Sequence, residues 1–133
     1  MSRFTLVSAL GFLTLVACSS GSSPSGTSGG LTITIAKYTF SPDPLVAPAG
    51  STITVINNDV GTAHTATSEA MAASYAKGQA SPNGFTFDTG QLDGGGTTTI
   101  TIPAGVPSGT VQPYFCQIHQ GMMDNPNPTI KIQ

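Results

Sequence analysis

The chain has 133 residues, 8% of them charged, and its four Lys and Arg against six Asp and Glu leave a formal net charge of −2. It carries no basic stripe, which argues against nucleic acid as a partner and against strong electrostatic steering of a charged one. The length admits one ordinary domain with its own hydrophobic core.

Met1–Ala17 is predicted to be an export signal. Arg3 supplies a positive start, and an apolar run follows from Phe4 to Val16. That run is shorter than the roughly 20 residues a bilayer-spanning helix needs. It ends in Leu15-Val16-Ala17-Cys18, which resembles the lipobox of bacterial lipoproteins. The resemblance implies cleavage before Cys18, acylation of its thiol and anchoring to a membrane; an ordinary signal peptide is the alternative. Ser19–Gly30 consists of Ser, Gly, Pro and Thr, has no apolar side chain to bury, and is expected to be a flexible tether. Such a segment spans about 20 Å r.m.s. and roughly 40 Å when stretched, so it holds whatever follows close to the membrane. Ser19, not Asp, follows the cysteine; by resemblance to enterobacterial lipoproteins this favours the outer membrane where a periplasm exists. Without Arg3, three Lys stand against six Asp or Glu, a charge of about −3.

Period-two alternation dominates 31–133, the expected folded domain. Leu31-Thr32-Ile33-Thr34-Ile35 and Ser51-Thr52-Ile53-Thr54-Val55-Ile56 place aliphatic residues on one face and hydroxyls on the other. Gly84-Phe85-Thr86-Phe87, Thr97–Ile102 and Pro128-Thr129-Ile130-Lys131-Ile132 repeat the pattern. Thr-rich outer faces fit a half-buried antiparallel sheet. Turn residues separate the runs at Ser41-Pro42-Asp43-Pro44, Pro48-Ala49-Gly50, Asp93-Gly94-Gly95-Gly96 and Pro103-Ala104-Gly105. Ala-rich Glu69–Lys77 is the one predicted helix, too short to stand alone, and Met71 is expected to pack in the core or against that helix. The expected fold is an all-β Greek-key sandwich or barrel of about seven or eight strands with that short helix. Phe40, Phe85, Phe87, Tyr114 and Phe115 are its candidate core aromatics. Asp59, Glu69 and Asp88 are read as solvated loop carboxylates, and Asn57 and Asn58 as turn residues of which one could brace the ligand loops.

The chain has two cysteines. In an exported protein these would pair by default. If Cys18 carries lipid, Cys116 is a lone thiol in an oxidising compartment, protected only when something such as a metal occupies it. The segment Cys116-Gln117-Ile118-His119-Gln120-Gly121-Met122-Met123 places thiolate, imidazole and thioether close together, and His64 is the only other histidine. Two His, one Cys and one Met form the donor set of a type 1 copper centre. Soft sulfur suits Cu(I) and imidazole suits Cu(II), so one geometry serves both oxidation states. A catalytic zinc site is disfavoured because zinc enzymes do not use thioethers.

Over 31–133 the sequence resembles the cupredoxin family. Tyr38-Thr39-Phe40-Ser41-Pro42, Pro48-Ala49-Gly50-Ser51, Asn57-Asn58-Asp59 ahead of His64, and Phe87-Asp88-Thr89-Gly90 are similar to segments of small bacterial cupredoxins. Cys116-x-x-His119-x-x-Met122 is similar to the ligand loop of amicyanins. The resemblance implies His64, Cys116 and His119 as equatorial copper ligands, with Met122 axial and Met123 the alternative. It also implies a one-electron carrier without enzymatic activity or small-molecule substrate. Donor and acceptor redox proteins would dock near His119, and the protein is expected to be monomeric. Thr65 departs from the family, whose Asn at this place hydrogen-bonds to the Cys-bearing loop; Thr can make a shorter version of that bond. The competing readings are a copper carrier or storage protein, which normally shows Met-rich or His-rich tracts, and a metal-free β-sandwich binding module.

Overall fold

The structure, a computed structural model, describes residues 30–133. The predicted signal, Cys18 and nearly all of the tether lie outside the described residues. Among the described residues eight strands form: β1 Thr32–Ala36, β2 Thr39–Ser41, β3 Leu45–Ala47, β4 Thr52–Asn57, β5 Thr67–Ser68, β6 Thr97–Thr101, β7 Val111–Phe115 and β8 Thr129–Ile132. They make two four-stranded sheets, in the orders β2-β1-β4-β6 and β3-β8-β7-β5.

The alternation seen in the sequence becomes the inside and outside of this sandwich. Ile33 and Ile35 of β1, Ile53 and Val55 of β4, Ile100 of β6, and Ile130 and Ile132 of β8 are buried. Each such side chain contributes on the order of 1.5–3 kcal/mol. The intervening threonines face outward. The sheets are mixed, not purely antiparallel: β1 runs parallel to β4, and β3 parallel to β8. After the β1–β2 hairpin the chain crosses to the other sheet as β3. It then returns as β4 beside β1, and that crossover sets the parallel pairing.

Two expected elements do not form. No helix occurs among the described residues. Over Glu69–Lys77 the buried Glu69 carboxylate accepts the amides of Ala73 (3.1 Å) and Tyr75 (2.8 Å), and the Ser74 hydroxyl at 3.2 Å. These amides bond to a side chain in place of helical carbonyls, and Ala73 and Tyr75 take positive φ. Met71 is consequently exposed, packed neither in the core nor against a helix. Around Phe85 and Phe87 the alternation is real, since both rings are buried, but no strand results. The Phe85 amide donates to Gln112 Oε1 (3.0 Å) and the Phe87 amide to Ser68 Oγ (2.9 Å), so side chains take these two amides. The backbone pairing with β5 is confined to Phe87 O, which accepts from Ser68 N at 2.9 Å, and the neighbouring Thr67–Asp88 bridge.

Candidate metal centre

His64 lies between β4 and β5, where its backbone exchanges two hydrogen bonds with Leu92, N to O at 3.0 Å and 2.8 Å. Asn57, at the end of β4 and fully buried, braces this loop: its Nδ2 donates to the carbonyls of Thr62 and Leu92, both at 2.8 Å. Cys116 follows β7 directly. Its loop then turns tightly, His119 N bonding to Cys116 O at 3.3 Å and Met122 N to His119 O at 3.1 Å. Sandwich geometry therefore brings a residue from the β4–β5 connection against two from the β7–β8 connection.

The three side chains converge. Nδ1 of His64 and Nδ1 of His119 are 3.2 Å apart, and Sγ of Cys116 is 3.8 Å from the first and 3.6 Å from the second. A circle through atoms so separated has a radius of about 2.1 Å, within the roughly 2.0–2.3 Å of metal–nitrogen and metal–sulfur bonds. One ion at its centre would touch all three donors at bonding distance. His64 and Cys116 are buried and His119 is half-buried, so such an ion would sit just beneath the surface. Burial, and then the neighbouring His64, hold the His119 imidazole below its ordinary pKa, which favours the neutral ring a metal requires.

The surroundings fix these donors. Thr65 N donates to Cys116 Sγ at 3.4 Å, and Thr65 Oγ1 accepts the Gln117 amide at 2.8 Å, which is the shorter bond anticipated for threonine here. The Gln117 side chain donates to Thr67 Oγ1 (2.7 Å) and Asp88 Oδ1 (3.2 Å), and Asp88 pairs with Lys77 at 2.9 Å. The two methionines separate by burial: Met122 is 65% exposed, whereas Met123 is 5% exposed and part of the core cluster. Both line a cavity of about 150 Å³ shared with Tyr38 and Phe40.

Sequence reasoning missed three residues here. Asp59 was expected to be merely solvated, yet its Oδ2 stands 2.9 Å from Nε2 of His64. Tyr38 packs edge-to-face on both imidazoles, with ring centroids 5.4 Å from His64 and 4.9 Å from His119. Glu69, also expected in solvent, is fully buried. The signal available for Asp59 was its place five residues before His64, close enough for a loop to fold back.

No family model and no curated protein matches the chain. Solved structures do. A Cu-containing nitrite reductase from Thermus scotoductus SA-01 is similar at 23% identity and TM-score 0.59; the match covers 78% of this chain but only 22% of the reductase. A reduced Cu(I) form of an amicyanin variant is similar at 16% identity and TM-score 0.55, covering 82% of this chain and 87% of that one. A purple cupredoxin from Nitrosopumilus maritimus is similar at 20% identity and TM-score 0.55, covering 77% and 99%. At these identities the likeness establishes the fold: the domain is a cupredoxin-like β-sandwich.

Proposed function

We propose that this domain holds a single copper ion and carries electrons one at a time between redox proteins. His64, Cys116 and His119 would hold the ion, with Met122 as a fourth donor. The observation that carries the reading is the triangle of two imidazole nitrogens and one thiol sulfur, sized for one ion and built from donors that suit both oxidation states of copper. Bound there, copper would supply a one-electron Cu(II)/Cu(I) couple between a donor and an acceptor protein.

The chain's own part is to keep the donors still and the site dry. Thr65 holds the sulfur and the ligand loop, Asn57 and Leu92 hold the His64 segment, and Tyr38 covers both rings. Exposed apolar side chains lie in the same loops: Val60 before His64, Ile118 beside His119, and Met122 after it. They support docking of an uncharged partner face around His119, in keeping with the chain's few charges. Met122 is assigned as the fourth donor by its spacing from His119; Met123, buried in the same core cluster as Cys116, is the alternative.

Adding Cu(II) to the purified protein and recording its absorption tests the reading. An intense thiolate-to-copper band near 600 nm and reversible one-electron electrochemistry are expected, from the family resemblance. Colourless binding, or copper that leaves on reduction, would refute the carrier and favour delivery or storage. Anchoring through an acylated Cys18 belongs to the same proposal and is supported by the sequence alone. Fatty-acid labelling of the full chain, lost in Cys18→Ala, is the expected result; an unlabelled wild-type chain would overturn it.

A further inference from the structure

The β1–β2 hairpin turns through Lys37 and Tyr38, both at positive φ (51° and 58°). A two-residue turn of this hand matches strand twist, but it favours Gly or Asn, and for residues with a Cβ it costs about 1–2 kcal/mol each. Both turn amides donate to one side chain: Lys37 N to Oδ1 of Asp59, and Tyr38 N to Oδ2 at 2.9 Å. Asp59 is itself placed from behind, its backbone N donating to Asn57 Oδ1 at 3.0 Å. The same carboxylate meets Nε2 of His64. One group thus joins a strained turn, an aromatic ring covering both imidazoles, and the buried ring of the candidate centre.

We infer that Asp59 is a positioning residue that orients His64 and biases the centre toward its oxidised state, an inference that rests on the copper reading above. A carboxylate can only accept from Nε2–H, so the Nδ1 lone pair is left facing Cys116 and His119. A negatively charged acceptor also makes the imidazole a stronger donor, which favours the more highly charged ion. His119 reaches half out toward solvent, so the two histidines are unequal: one fixed and electron-rich, the other free to meet a partner. Tyr38 is the second consequence, since its ring is held over both imidazoles by the backbone bonds that Asp59 accepts.

Asp59→Asn keeps the shape and one acceptor oxygen but removes the charge. In the copper-loaded full chain the 600 nm band is expected to persist. The ratio of Cu(II) to Cu(I) affinity should fall about tenfold, equivalent to a rise of about 59 mV in a one-electron potential. Asp93→Asn makes the same charge change at a carboxylate that accepts from Gln91, and should shift the ratio less than twofold. Equal shifts in the two variants, or an unmoved potential with only a lowered melting temperature, would overturn the inference. A measurement on the wild-type, metal-free chain is independent of any variant's folding. The His64 Nε2 proton should be visible by ¹⁵N NMR and exchange slowly with water; a freely exchanging proton contradicts the inference. Absence of the copper band in the wild type would instead sink the copper reading, leaving the proton result to judge the Asp59–His64 bond alone.

Discussion

Thr65 grips the cysteine loop twice, its backbone N–H donating to Cys116 Sγ at 3.4 Å and its hydroxyl accepting the Gln117 amide at 2.8 Å. Thr65→Val retains the first contact and the side-chain volume while removing the second. The stranded Gln117 amide is expected to cost about 1–3 kcal/mol, toward the lower end because Gln117 is half-buried. Chemical unfolding of the metal-free protein measures this. A loss below about 0.5 kcal/mol, the range of ordinary surface changes, would show that the loop is held elsewhere.

Met122 and Met123 divide along burial. Met122→Leu is expected to shift the visible spectrum and the potential at nearly unchanged stability. Met123→Ala should cost about 2–5 kcal/mol, as truncation of a packed core side chain does, and leave the spectrum alone. Spectra and denaturation curves of both variants decide the matter; the opposite pattern would assign the axial donor to Met123.

Strands β1, β4, β6 and β8 could be read from the sequence because Ile and Val alternate with Thr over enough residues to declare a face. Phe85 and Phe87 alternate equally well but meet side-chain acceptors, and nothing local announces Ser68 or Gln112 as those acceptors. Strands β2, β3 and β5 have three, three and two residues, too few for any period to show. At the site, His64, Cys116 and His119 stood out because residue type alone carries their chemistry. The roles of Asp59 and Glu69 depend on what lies opposite them, Tyr38 in one case and Asn127 in the other, and only the folded chain supplies those neighbours.

Among the described residues no cation pairs with the buried Glu69 carboxylate. Its oxygens accept from Ala73 N, Tyr75 N, Ser74 Oγ and Asn127 Nδ2, linking the 69–77 loop to the chain after the ligand loop. Glu69→Ala leaves the Tyr75 amide without its acceptor, while Ala73 N retains Asn127 Oδ1 and Asn127 Nδ2 retains Tyr114 O, and should destabilise the domain by about 1–3 kcal/mol. Denaturant unfolding with an unchanged m-value measures it. A loss under about 1 kcal/mol would show that water replaces the carboxylate.

Acid and alkali should each find a separate weak point. Burial opposes ionisation of Asp88, but bonds from Lys77, Gly90 and Thr67 outweigh it and set its pKa below 3.8. The folded state therefore binds fewer protons than the unfolded one. The stability contributed is full above about pH 3.8 and is lost as pH falls through the folded value. Tyr75 donates to Asp124, and that bond raises its pKa above 10.0. Its contribution is present below pH 10.0 and lost as pH rises through the folded value. Melting temperatures of Asp88→Asn and Tyr75→Phe across pH should flatten the acid limb and the alkaline limb respectively. An unaltered limb in either variant would remove that residue from the account.

Copper loading should couple to folding, because the unfolded chain separates His64 from Cys116 by more than fifty residues and cannot present the triangle. A ligand that binds only the folded state stabilises it by about 2.7 kcal/mol at a free concentration one hundred times its dissociation constant. For a domain of about 100 residues this is a rise of roughly 10–20 °C in melting temperature. Chelation of the reduced metal should reverse the rise, and Cys116→Ser should abolish it along with the visible band. Asp59→Asn should keep most of it, since that variant retains all three donors. A melting temperature indifferent to copper in the wild type would mean that the three donors, though gathered, do not act as one site.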